Sequence, residues 1–171
     1  MALTIGYVKD CIAKTAGLKQ VHLTDQADLT TFTVSGDDYS VANMVGGKVF
    51  QKYEFESGEA ELKETTTLVN GNTEITHEVQ FFLGRMSSLS RKAVQEIIES
   101  SNCGLIGIIT DNNGIQWAVG YSENFLKEEP LRLTAGDHTT GKAKTDISGR
   151  DVVLTSSDNE LARVFTGTIP I

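Results

Sequence analysis

The chain has only two prolines, two cysteines and one tryptophan among 171 residues, and it lacks any excess of positive charge. Cys11 and Cys103 are too few and too far apart in sequence for a disulfide framework or a zinc knuckle, so both are expected to be free thiols in a reducing cytosol. No stretch of eighteen or more apolar residues occurs, which excludes a membrane-spanning helix. The opening MALTIGYVKD has no basic region followed by an apolar run and does not read as a secretory signal. A formal net charge of −8 argues against a protein that grips nucleic acid through its phosphates, since that needs a basic face. An acidic surface can still act near DNA, by repelling it.

What is present is the punctuation of a mainly β protein. Sixteen glycines are spread along the chain and fall mostly between short runs rich in Val, Ile, Thr and Phe. Strands are expected at 20–25, 30–35, 48–56, 105–110, 115–121, 130–134, 151–156 and 162–167, in addition to a long hairpin over 59–83. The segment 88–101, SLSRKAVQEIIESS, departs from this pattern. Its apolar residues Leu89, Ala93, Val94, Ile97 and Ile98 recur at helical spacing, with Ser87 or Ser88 as an N-cap and Asn102-Cys103-Gly104 as a stop. The chain has the size and hydrophobic content of one domain, residues 1–171, with a single amphipathic helix lying on sheet.

The hairpin, EAELKETTTLVNGNTEITHEVQFFL, carries the most information. Asn70-Gly71 suits a type I′ turn, in which both central residues take positive φ. A two-residue loop then sets Val69 opposite Asn72, Leu68 opposite Thr73, and so on back to Glu59 opposite Phe82. That register sorts the side chains cleanly, and a slip of one residue would exchange the faces. One face collects Ala60, Leu62, Thr66, Leu68, Ile75, Val79 and Phe81, with Glu64 opposite His77. The other collects Glu59, Glu61, Thr65, Thr67, Glu74, Thr76, Glu78 and Gln80, with Lys63 opposite Glu78. Arms of about 11 residues at about 3.3 Å each give a ribbon roughly 36 Å long, against a domain diameter of about 40 Å. The tip half, with Leu68, Val69 and Ile75, is expected to need cover from another copy of the chain.

Motifs for chemistry are few. Gly136 to Lys142, GDHTTGK, fits part of a phosphate-binding loop, but Ala143 replaces the magnesium-binding hydroxyl and no helix follows. DNNG at 111–114 lacks the spaced acids of a calcium loop and reads as a second hairpin turn. His22, His77 and His138 stand at no metal-ligand spacing and are expected at the surface or across strands. Ser87, Ser88, Ser90 and Cys103 have no nucleophile motif around them. Trp117 reads as core. No catalytic, cofactor or metal site is assigned, and the chain is not expected to be an enzyme.

The order of elements is familiar. Short N-terminal strands lead to a long central hairpin, then the helix SLSRKAVQEIIESS and the hairpin LIGIITDNNGIQWAVGY. A terminal strand pair in TDISGRDVVLTSSDNELARVFTG follows a glycine-rich loop. This layout resembles bacteriophage tail-tube, or major tail, proteins. The resemblance implies a β-sandwich or barrel of two packed sheets with a flanking helix. It also implies rings, usually of six copies, whose hairpins form an inner barrel and which stack into a tube for the genome and a tape-measure protein. Glu59, Glu61, Lys63, Glu74 and Glu78 would face the lumen, and Leu68, Val69, Asn70, Gly71 and Ile75 would lie between subunits. Terminator and baseplate proteins would be further partners, with DNA passing unbound and no membrane involved. The chain would be built into a virion tail after assembly in the host cytoplasm. A tail terminator, neck or baseplate ring of similar fold is the nearest alternative. A monomeric β-barrel that binds a small ligand is the reading from another class. Segments 135–150 and 36–47 read as loops, and one or the other is expected to contact a neighbouring ring.

Overall fold

The computed structural model describes residues 15–55, 58–84, 87–144 and 146–171. In chain order the strands are β1 (Leu18–Asp25), β2 (Leu29–Ser35), β3 (Asp38–Met44), β4 (Gln51–Glu54), β5 (Ala60–Val69) and β6 (Asn72–Gly84). After helix α1 (Ser88–Ser101) come β7 (Leu105–Asp111), β8 (Gln116–Val119), β9 (Arg132–Ala135), β10 (His138–Thr139), β11 (Gly149–Asp158) and β12 (Arg163–Val164). Cys11 and the N-terminal MALTIGYVKD lie outside the described residues. Among the described residues no helix is long and apolar enough to cross a membrane.

The strands form a β-sandwich with one helix and an added third layer. The central sheet runs β12-β8-β7-β1-β4, the second runs β10-β11-β6-β5 with β9 also on β11, and β2 and β3 form a separate pair. Strand β7 explains the layering. Its run of Leu105, Ile106, Ile108 and Ile109 is fully buried, as a strand covered on both faces must be. Leu105 and Ile109 join Val21, Leu23, Val79, Phe81, Val152 and Leu154 between the two large sheets. Ile106 and Ile108 point the other way, onto Leu29, Phe32, Tyr39, Phe50 and Phe165 under the β2–β3 pair. The rings of Phe32, Tyr39 and Tyr121 stack or meet edge to face at 5.0–5.6 Å between centroids.

Helix α1 spans the whole expected segment. The Ser87 hydroxyl accepts from the Ser90 N–H at 3.2 Å, satisfying one of the donors a helix start leaves open. At the other end Gly104 sits at φ 113°, where a Cβ would strike the Pro130 ring at 2.4 Å, so only glycine ends the helix this way. Val94 and Ile97 are buried, whereas Leu89, expected on the same stripe, lies beyond the cover of the sheets and stays exposed.

Three expectations are corrected. Segment 36–47 is mostly strand β3, paired antiparallel with β2, because Tyr39 and Ala42 are buried against the central sheet. The expected strands 48–56 and 162–167 shrink to Gln51–Glu54 and Arg163–Val164. The first pairs with β1 over those four residues, and the second pairs only with Trp117 and Ala118 before Thr166 turns to donate to the Tyr39 carbonyl. His22 lies across strands, one of its two expected placements, opposite Lys52 and Ile108, and it is buried there; that burial, partly opposed by a backbone hydrogen bond with Ile108, pulls its pKa below the usual value. DNNG does form the β7–β8 turn, with Asp111 Oδ1 accepting from the N–H groups of Asn113 and Ile115. Trp117 packs half-buried on the inter-sheet core.

Phe81 has no exposed surface and faces Tyr53 and Phe55 across the core. Phe81→Ala is expected to cost about 3–5 kcal/mol and to lower Tm by roughly 10 °C, measured by thermal denaturation.

Candidate functional site: an acidic ribbon with one open edge

The β5–β6 ribbon pairs in the register its chemistry demands, from Ala60 opposite Phe81 to Val69 opposite Asn72. The Phe82 N–H donates to the Glu59 carbonyl one step further back. Asn70 and Gly71 take φ of 51° and 81°, the left-handed pair a type I′ turn requires.

What surrounds the ribbon differs between its margins. Strand β11 pairs with β6 at ten successive positions, from Gly149 opposite Gly84 to Asp158 opposite Ile75. One margin is therefore closed within the chain. The ladder ends at Ile75, and three further pairs with the turn overhang it by roughly 10 Å. On the other margin, among the described residues, β5 is the edge of its sheet. In an antiparallel ladder alternate residues turn their N–H groups away from the partner. Counting from the turn, those of β5 are Leu68, Thr66, Glu64, Leu62 and Ala60.

The inward face is buried at Ile75, His77, Val79 and Phe81. Ile75 is only 5% exposed, so the expectation that it needs a second copy is corrected: the chain's own β11 and core cover it. Leu68 and Val69, beyond the end of β11, remain 72% and 56% exposed. The outward face carries Glu61, Lys63 and Glu74 fully exposed, with Glu59 and Glu78 half-buried. Strand β11 extends that face, since Asp151 pairs with Phe82 and Thr155 with Glu78. Asp151 thus adds a fifth acid, and the Ser157 hydroxyl donates to Glu74 Oε1 at 2.6 Å. At the base of the ribbon Glu59, Glu61, Gln80, Phe82 and Ile147 line a depression of about 670 Å³.

A polar contact between buried His77 and partly exposed Glu64 pins the inward face. His77 Nε2 lies 3.1 Å from Glu64 Oε1, and Ser156 Oγ lies 3.5 Å from the other ring nitrogen. The approach to Glu64 is oblique for a hydrogen bond. The same carboxylate accepts from the Ala162 N–H at 2.7 Å, just before β12. Burial opposes ionisation of Glu64, yet His77 and the Ala162 N–H outweigh it and hold the carboxyl below its ordinary value. The Glu64–His77 pairing follows from the register alone. Burial of His77 and the contact with Ser156 do not, because the polar run Thr155–Asp158 gives no hint that β11 lies alongside.

His138 is exposed in β10 and Cys103 is an exposed free thiol beyond α1. Among the described residues no group of three or more His, Cys, Asp or Glu is placed to hold a metal ion. Comparisons with protein-family models, curated proteins and solved structures find no match to this chain.

A carboxyl depressed in the fold contributes stability that is complete above its unfolded value near 4.5 and is lost as pH falls through the lower folded value. Glu64→Gln is therefore expected to lower Tm by about 2–4 °C at neutral pH. Its deficit relative to wild type should shrink as pH drops below about 4; a deficit constant with pH would contradict the charge assignment.

Proposed function

We propose that this chain is a structural subunit of a bacteriophage tail, which joins copies of itself side by side through the β5–β6 ribbon into rings of the tail-tube type. The observation that carries the reading is the ten-residue strand β5, whose outer edge is unpaired among the described residues and whose tip holds Leu68 and Val69 in water. An exposed strand edge of that length templates pairing with another chain, and proteins that stay monomeric blunt such edges. Here the charge that could blunt it lies on the outward face.

The two faces of the ribbon then have separate tasks. The edge and the tip make contact with a neighbour, closing the ladder and covering Leu68 and Val69. The outward face, with Glu59, Glu61, Glu74, Glu78 and Asp151 against Lys63, lines a channel. Negative potential there repels phosphates, so DNA passes without sticking. Head-to-tail contacts of this kind close into rings when the rotation allows and otherwise extend as filaments. The order of elements, which resembles tail-tube proteins, supports the same reading and brings with it a tape-measure, a terminator and a baseplate as partners.

Negative-stain microscopy of the purified chain is expected to reveal rings or open-ended tubes. Single rings that never stack would favour a terminator or neck role. A chain that is monomeric by native mass measurement at high concentration would sink the proposal. Leu68→Lys with Val69→Lys, and separately Thr66→Pro, should abolish lateral association. The first pair should leave Tm within about 2 °C, because both positions are exposed. Thr66→Pro removes an outward N–H without breaking the β6 ladder. Glu61→Lys with Glu74→Lys should assemble normally yet yield tubes that retain DNA at low salt, which wild-type tubes should not.

A further inference from the structure

A cleft of about 340 Å³ opens between the end of β1, the start of β4 and helix α1. Asp25, Asp28 and Glu96 line it, with Lys48 as its one lining cation. Lys48 Nζ lies 3.3 Å from Asp28 Oδ1 and neutralises that acid. Asp25 has no cation partner among the described residues, and Glu96 meets only the exposed Lys92 at 4.0 Å. Tyr53, also in the wall, is pushed up to about 12 by burial, with the charges of Glu96 and Asp25 adding to it. Thr24 lines the same cleft, is only 4% exposed, and its hydroxyl has no hydrogen-bond partner.

The complementary charge sits on the loop between β10 and β11. Lys142 and Lys144 are both exposed there and form no ion pair with another described residue. The loop is shaped by Asp146, whose Oδ2 accepts from the N–H groups of Lys142 and Ala143 at 2.7 and 2.8 Å. Those bonds engage the Asp146 carboxylate with backbone rather than with either ammonium group. Ile147 beside it is 69% exposed.

The two features lie at opposite ends of the molecule. Ile147 borders depressions with Gly17, just before β1, and with Glu54 at the end of β4. The cleft is bordered by Asp25, the last residue of β1, and by Gln51, the first of antiparallel β4. Eight residues of β1 separate them, roughly 26 Å. A basic loop at one end and an acidic cleft at the other form a heterologous pair that cannot be satisfied within one copy and repeats without limit along an axis.

We propose that the Lys142–Lys144 loop of one copy inserts into the Asp25–Glu96 cleft of the next, and that this contact stacks rings into a tube. The inference rests on the ring reading given above and adds the axial contact to it. The cleft takes an ammonium group, with Asp25 and Glu96 as counter-charges.

Charge reversal on each side tests the contact in the full chain, with native mass measurement reading rings and pelleting with microscopy reading stacks. Lys142→Glu with Lys144→Glu, or Asp25→Lys with Glu96→Lys, should leave ring mass unchanged. Each should raise the concentration needed for stacking by more than about tenfold, because like charges then face one another across the contact. An equimolar mixture of the two variants should stack again as alternating copies, which misfolded protein could not do. Stacking by either variant alone at the wild-type concentration, or a mixture that fails to recover, overturns the docking while the ring reading stands. Wild-type protein that forms no rings overturns both.

Discussion

The ten-pair ladder between β6 and β11 is the constraint from which the rest of the molecule follows. It closes one margin of the ribbon inside the chain and holds Val79 and Phe81 against the central sheet. It also ends at Ile75, and where it ends the ribbon passes from core to overhang. Every position on the inward face up to that level is buried or half-buried on the β6 arm, while Leu68 and Val69 above it are not. Were β11 three residues longer the tip would be ordinary edge; as it stands, the chain has built a ribbon longer than its own core can cover.

Charge is arranged with the same economy. The net charge of −8 is not spread evenly. Acids gather on the outward ribbon face and around the cleft at the end of β1, while two exposed lysines stand on the loop at the far end. A surface of one sign alone would keep copies apart. Segregated signs at opposite ends permit association in one direction, and the acidic face can stay unbound while both ends are engaged.

The polar contacts inside the ribbon show how an edge strand is held in place from one side. Among the described residues strand β5 has only β6 as a ladder partner, and Glu64 supplies an additional tie, reaching both His77 and the chain before β12. Such a contact is weak evidence for net stability, because burying charge is costly. Its value lies in position: it ties β5 to β6 and to the chain just before β12.

Local chemistry determined a good deal by itself. The Asn70-Gly71 turn set the register, since only one pairing puts the apolar and acidic residues on separate faces, and the helix was legible from its 3.6-residue spacing and its Ser87 cap. Strand β3 was not legible, because the glycines and aspartates around Tyr39 look like a loop until the central sheet is there to bury that ring. Only tertiary structure decided which margin of the ribbon stays open, that Ile75 and His77 are interior, and that Asp25 and Lys142 end up far apart. Each of those outcomes depends on β11 lying beside β6 or on β1 crossing the whole domain, and non-local pairing of that kind leaves no periodic trace in either partner taken alone.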